Sequence, residues 1–123
     1  MIQRKLEDIT EEDIISLIKN SVAEGKTIEY KLQLPSGADS DKREFLADIS
    51  SFANTSGGDL LYGIKEDKGL PITTVGLDLR DPDAELNRLE NMAMSGIDPR
   101  ISYVMRAIKL ADGKYVIVIR IQQ

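Results

Sequence analysis

Two glutamates, an aspartate and a lysine carry the chemistry that this sequence offers: Glu24, Glu29, Asp67 and Lys31. Glu24 ends a stretch of helical periodicity, and Glu29 lies on the polar face of the alternating stretch that follows. Gly25-Lys26-Thr27-Ile28 alone separate them, so a tight turn brings both carboxylates to one edge. Asp67 stands just past the apolar run Leu60–Ile64, and it joins the glutamates if that run pairs beside Thr27–Leu32. Three carboxylates and a lysine suit an oxygen-liganded Mg²⁺ or Mn²⁺ site for phosphodiester cleavage. There the metal activates water and the lysine meets the scissile phosphate. The same spacing also describes a solvated helix end, an exposed strand face and a turn aspartate.

The chain has no histidine and no cysteine. Imidazole-based triads, thiolate catalysis, disulfides and cysteine-bound zinc are therefore excluded. Any metal would have to be held by oxygen, which favours Mg²⁺, Mn²⁺ or Ca²⁺. A net charge of −5 argues against strong unspecific binding to nucleic acid, although the distribution of charge outweighs the total. Lys26, Lys31, Lys42 and Arg43 are the candidates for a local phosphate-contacting patch; four cations on an acidic chain are also an ordinary mixed surface.

Asn54-Thr55-Ser56-Gly57-Gly58 is a third candidate. Its small residues permit close backbone approach, so Asn54, Gly57 and Gly58 are nominated as nucleic-acid contacts. It stands at the C-terminus of a helix, however, where the macrodipole disfavours anions. A helix stop that enforces a sharp turn into a strand explains it equally well. No GxxxxGK[ST] loop is present, and the tyrosines fall on strand positions, so no stacking platform for single strands is evident.

These residues need elements to position them. Thr10 caps an acidic first turn, and Ile14, Ile15, Leu17, Ile18 and Val22 predict a helix over 11–23 that stops at Gly25. Thr27–Leu32 alternates as a strand. Asp41 and Glu44 have capping-box spacing before Phe45, Leu46, Ile49, Phe52 and Ala53, the apolar face of a second helix. Leu60–Ile64 is a buried strand with Gly63 marking a bulge or close approach, Glu66–Gly69 a turn, and Val75–Leu79 a short strand. Asp81-Pro82 starts a third helix that Gly96 closes. Ala111-Asp112-Gly113 joins Ile101–Leu110 and Lys114–Ile121 into a hairpin. The expectation is an α/β (α+β) domain over 1–123, with three helices, a mixed sheet of about five strands and a C-terminal β-hairpin.

The chain holds no apolar run long enough to span a membrane and no signal-like N-terminus, so a cytoplasmic location is expected. It ends on Arg120-Ile121-Gln122-Gln123 without a terminal turn or polar tail, which reads as the N-terminal domain of a longer protein.

Thr27-Ile28-Glu29-Tyr30-Lys31, the block from Ile49 to Ile64 containing FANTSGG and LLYGI, and Val75-Gly76-Leu77 together resemble the Schlafen AlbA_2 domain. The resemblance runs over about residues 10–121 and includes the final hairpin. It implies an α/β domain, usually N-terminal in bacterial proteins grouped with DNA-binding, transcriptional-regulator-like or ATP-binding proteins. In animal Schlafen proteins related lobes form an RNA-binding core, and some cut tRNA or rRNA at a metal-dependent site of three carboxylates. Carried over by motif, that site falls on Glu24, Glu29 and Asp67, with Lys31 beside it. Val22-Ala23 departs from the Gly-Glu-Ser-like run of many members. The leading expectation is a nucleic-acid-binding domain, for DNA or RNA, of a bacterial regulatory or defence protein. The alternatives are a Schlafen-type endoribonuclease that uses Mg²⁺ or Mn²⁺ on tRNA-like RNA, and a domain that forms homodimers.

Overall fold

A computed structural model describes residues 1–123. The elements in chain order are a 3₁₀ turn (Leu6–Asp8), α1 (Glu11–Lys19), β1 (Ile28–Lys31), α2 (Asp39–Asn54), β2 (Gly58–Tyr62), β3 (Ile64–Asp67), β4 (Leu70–Thr74), α3 (Pro82–Gly96), β5 (Tyr103–Lys109) and β6 (Tyr115–Ile121). The main sheet has four strands in the order β1-β2-β6-β5, with β1 parallel to β2 and the other pairs antiparallel. A separate two-stranded sheet holds β3 and β4. The fold is α+β with three helices, a mixed sheet and a C-terminal hairpin, as the residues imply. The strands divide as four and two where one sheet of about five was expected. No helix is long and apolar enough to cross a membrane.

The main sheet is covered on both faces, and its central strand shows why β6 is apolar throughout. Val116 and Val118 face a cluster made with Ile2, Leu6, Ile9, Ile14 and Leu17 of the N-terminal segment and α1. Ile117, Ile119 and Ile121 face Phe45, Ile49 and Phe52 of α2 and Leu89, Met92 and Ala93 of α3. A strand with period-two alternation but apolar residues on both sides is the signature of a sheet buried twice.

Several local expectations shift, each for a physical reason. Helix α1 ends at Lys19, short of Gly25, because Ser21 takes the left-handed conformation at φ 49°. The Ser21 N–H then reaches the Ile18 carbonyl at 3.1 Å and the Val22 N–H the Leu17 carbonyl at 2.9 Å, the double closure of a Schellman motif. Asp41 and Glu44 do not form a capping box, because α2 already begins at Asp39. Asp41 instead accepts from the Ser36 N–H at 2.9 Å and Glu44 pairs with Lys31. Gly63, at φ 105°, ends β2 and starts β3 in a new direction. The turn expected at Glu66–Gly69 becomes a two-residue hairpin loop, with Lys68 and Gly69 both left-handed at 51° and 83°, the type I′ pattern. Val75–Leu79 is not a strand; Leu77 alone bridges Tyr115. The strand lies just before it, in Leu70–Thr74, where Pro71 argues against a strand reading. It is tolerated because β4 belongs to a two-stranded sheet with a register shift at that point.

The two glycines of FANTSGG act on packing. A Cβ at Gly57, which has φ 71°, would sit 2.7 Å from the Ile121 carbonyl oxygen. A Cβ at Gly58 would sit 2.7 Å from both the Phe52 ring and the Thr27 carbonyl. The next residue, Asp59, is fully buried. Its carboxylate takes a bidentate pair from Arg120 directly across the β2/β6 register, at 2.8 Å and 2.9 Å, and also accepts the Ile2 N–H at 2.8 Å. Arg120 donates onward to the Ile2 and Arg4 carbonyls, and Arg106 donates to those of Leu6 and Ile9. The N-terminal segment is thus stapled to the sheet by two arginines.

Asp59→Ala leaves the Arg120 guanidinium without its counter-charge in a buried setting, so it is expected to destabilise the fold by about 3–5 kcal/mol. Urea unfolding of the two proteins measures the difference. A loss below about 1 kcal/mol, the worth of a surface pair, would refute the clamp.

Candidate functional site

Strand β1 is one edge of the main sheet. Its alternation sends Ile28 and Tyr30 into the core beneath α1 and turns Glu29 and Lys31 towards α2. Helix α2 answers with Glu44, Asp48 and Ser51, which recur at helical spacing along the side that faces β1, and Thr55, just past its end, continues the line. Between them runs a groove of about 610 Å³ lined by Glu24, Glu29, Asp48, Lys26, Ser51 and Ser56, with Ile28 and Phe52 as its apolar walls. A narrower hollow of about 140 Å³ continues it past Lys31, Glu44, Asp48 and Tyr62.

The electrostatics of this groove are unbalanced. Lys31 Nζ holds Glu44 Oε1 at 2.8 Å and approaches Asp48 Oδ2 at 3.6 Å. That Asp48 oxygen is buried and has no hydrogen-bond partner. Burial, followed by the Asp48 charge, pushes the Glu29 carboxyl above its ordinary range against the pull of Lys31. Burial likewise raises Asp48, with Lys31 opposing and Glu44 and Glu24 adding to the rise. Burial works to lower Lys31, but its hydrogen bond to Glu44 and the charges of Asp48 and Glu29 outweigh it and hold the ammonium on. The Tyr62 phenol is driven well above its normal range by burial and by Asp48, Glu29 and Glu44. Like charges crowd in a half-desolvated space with one internal cation between them.

Glu24 has a second task. Its Oε2 accepts the Tyr30 N–H at 2.9 Å, and its own N–H donates to the Gly69 carbonyl at 2.7 Å. The carboxylate therefore covers the open edge of β1, and the backbone ties that edge to the β3–β4 turn. Tyr30 Oη, donating to the Val22 carbonyl at 2.6 Å, fixes the same segment from below.

The nominated residues fall into groups. Glu24, Lys26 and Glu29 line one groove, with Lys31 in its continuation. Asp67 is apart from them, exposed on β3 and paired with Leu70. The expected pairing of β1 with the Leu60 strand does occur, but Gly63 turns the chain before it reaches Asp67. No three carboxylates gather closely enough to ligate one ion. Glu24, Glu29 and Asp67 therefore do not fit a shared Mg²⁺ or Mn²⁺ in this conformation, and no chemical step is derived through one. Lys42 and Arg43 occupy α2 positions between those that line the groove. Asn54 borders a different hollow with Arg100 and Gln122. Gly57 and Gly58 are buried, and the Gly57 N–H is spent on the Phe52 carbonyl at 2.7 Å.

Asp48 was not among the residues singled out from sequence, and Glu44 was read there only as part of a helix cap. Asp48 could have been: it lies three residues after Phe45 and four before Phe52, a charge set into the buried stripe of a helix.

The model of the Schlafen AlbA_2 family matches residues 24–123, and the chain belongs to that family. Its fold is similar to the solution NMR structure of the N-terminal domain of an ATP-dependent DNA helicase RecG-related protein from Nitrosomonas europaea. The TM-score is 0.63 at 26% identity, covering 94% of this chain and 74% of that one. The comparison with curated proteins returns no match.

The crowding of charge has a measurable sign. Because the folded-state pKa of Glu29 lies above its unfolded value, its contribution to stability is full below about pH 4 and is lost as pH rises through the folded-state pKa. Glu29→Gln is therefore expected to stabilise the protein at pH 7 by about 0.5–1 kcal/mol, with the gain fading as pH falls through the carboxylate range. Denaturation at a series of pH values reads this directly; a variant weaker than wild type at pH 7 contradicts the like-charge account.

Proposed function

We propose that this member of the Schlafen AlbA_2 family is a nucleic-acid-binding domain of a bacterial regulatory or defence protein, and that it binds along the rim between β1 and α2. The observation that carries the reading is a separation of charge: carboxylates line the groove, while unpaired cations stand near the two ends of α2. Lys26, Lys42 and Arg43 have no ion-pair partner in the protein, while the carboxylates lie inward, in the groove. Lys26 is anchored beside the end of α2, because Ser56 Oγ donates to its carbonyl at 2.8 Å. Lys42 and Arg43 stand at the beginning of the same helix. The rise of the helix sets these two cationic positions roughly 20 Å apart, a span for a strand of several nucleotides.

Phosphates placed on these cations leave bases near Glu24, Glu29 and Asp48. Carboxylates accept hydrogen bonds from exocyclic base amines and repel phosphate. This polarity favours an unpaired strand, whose base edges are free to turn inward, over a duplex. The family assignment and the likeness to a domain of a DNA helicase RecG-related protein support a nucleic-acid partner without choosing between DNA and RNA.

Fluorescence anisotropy with single-stranded DNA, single-stranded RNA and duplex tests the reading. Affinity is expected to fall steeply between low and moderate salt. Lys26→Ala and Arg43→Ala should each weaken binding several-fold and lower the salt slope by about one unit. Affinity that ignores salt, or that neither substitution changes, refutes the assignment. Adding Mn²⁺ to the RNA samples and resolving the products on a gel tests the endoribonuclease alternative. Intact RNA at every time point counts against it, and metal-dependent cleavage lost in Glu29→Gln would establish it.

A further inference from the structure

The two edges of the main sheet are treated differently. The β1 edge is covered by the Glu24 carboxylate and by the segment that leads into the strand. The β5 edge has no such cover. The Leu110 N–H bonds to the Lys114 carbonyl at 2.8 Å and the Gln122 N–H to that of Ser102 at 3.0 Å, so even-numbered residues of β5 turn their backbone groups towards β6. The backbone groups of Tyr103, Met105, Ala107 and Lys109 therefore point outward, and β5 pairs with no strand except β6. Beside this seven-residue edge lie the two most exposed large apolar side chains of the molecule, Met94 at 72% and Val104 at 55%. Both border a hollow of about 620 Å³ between α3 and the start of β5. Long, flat, uncovered edges with apolar neighbours are templates for another strand.

We propose that β5 pairs antiparallel with β5 of a second copy of this chain, joining two four-stranded sheets into one of eight. The occupant is argued from charge. The beginning of β5 is acidic on the α3 side, where exposed Glu90 accepts the Tyr103 hydroxyl at 3.0 Å. Its end carries exposed Lys109, which has no ion-pair partner and shares the Tyr103 face of the strand, whereas the Glu11 and Asp112 carboxylates beyond it are engaged by the backbone of the turn. Antiparallel self-pairing brings Lys109 of each copy to the end of the other copy where Glu90 lies. In the register that sets Tyr103 opposite Lys109, Met105 falls opposite Ala107, and all four outward pairs of groups are used. Lys109 then meets Glu90 of the second copy on both sides of the axis. Arg106 lies at the axis, with its guanidinium already held by the Leu6 and Ile9 carbonyls of its own chain. The grooves beside β1 remain open at the two far ends of the joined sheet.

Light scattering after size exclusion, together with sedimentation equilibrium, tests this on the 123-residue chain. At tens of micromolar the wild type is expected to have twice the protomer mass. Met105→Pro removes an outward N–H while leaving the β6 ladder intact, and should weaken association at least tenfold with an unchanged circular dichroism spectrum. Lys109→Glu, a surface change that leaves the backbone untouched, should do the same, and adding Glu90→Lys should restore the dimer. A wild type that stays monomeric at a hundred micromolar overturns the proposal. So does a dimer indifferent to Lys109→Glu, or a charge swap that fails to rescue.

Discussion

The bidentate pair between Asp59 and Arg120 ties the N-terminal segment to the centre of the main sheet. It lies where β2 meets β6, at the only fully buried charge in the molecule. Its remaining hydrogen-bonding capacity goes to the backbone at Ile2 and Arg4. A buried ion pair is not a strong source of stability by itself, because desolvation offsets much of its Coulomb energy. Its effect here is positional. It fixes where the first residues cross the sheet, while Arg106 and the burial of Leu6 and Ile9 hold the rest of the segment over Leu61, Val116 and Val118. The glycine pair immediately before Asp59 serves the same end, since no side chain fits where Gly57 and Gly58 pass β6 and Phe52.

With the sheet covered on both faces, its edges decide what the surface can do. The β1 edge is closed by a carboxylate from its own chain, and closing it draws Glu24 towards Glu29 and Asp48. The groove is a by-product of edge protection combined with helix packing: α2 must bury Phe45, Ile49 and Phe52, and the adjacent stripe of Glu44, Asp48 and Ser51 is carried against β1. The resulting like-charge crowding is energetically unfavourable to the fold. Carboxylates perturbed by burial and by one another are enriched at functional sites, which is the physical reason for the proposal that binding occurs here.

What the sequence by itself determined is local. Thr10 and Asp81 cap helices, the Asp-Gly turn makes the final hairpin, and FANTSGG ends a helix and launches a buried strand, because dihedral preference and apolar periodicity act over a few residues. These features also sufficed to identify the family. They placed Glu24 and Glu29 together correctly, since four residues of tight turn leave little freedom. They failed where a local signal had a less common solution: Ser21 ending α1 in place of a glycine, and Pro71 inside β4.

Tertiary structure alone decided which acidic residues share a space. Asp67 follows the buried strand closely in sequence, yet one left-handed glycine at position 63 sends it to the exposed hairpin. Asp48 and Lys31 are seventeen positions apart in the chain and meet within 3.6 Å, because a helix face and a strand edge are pressed together by cores that neither residue belongs to. Side-chain proximity across elements depends on crossing angle, register and the direction of each Cα–Cβ bond, none of which is written in the spacing of the residues concerned.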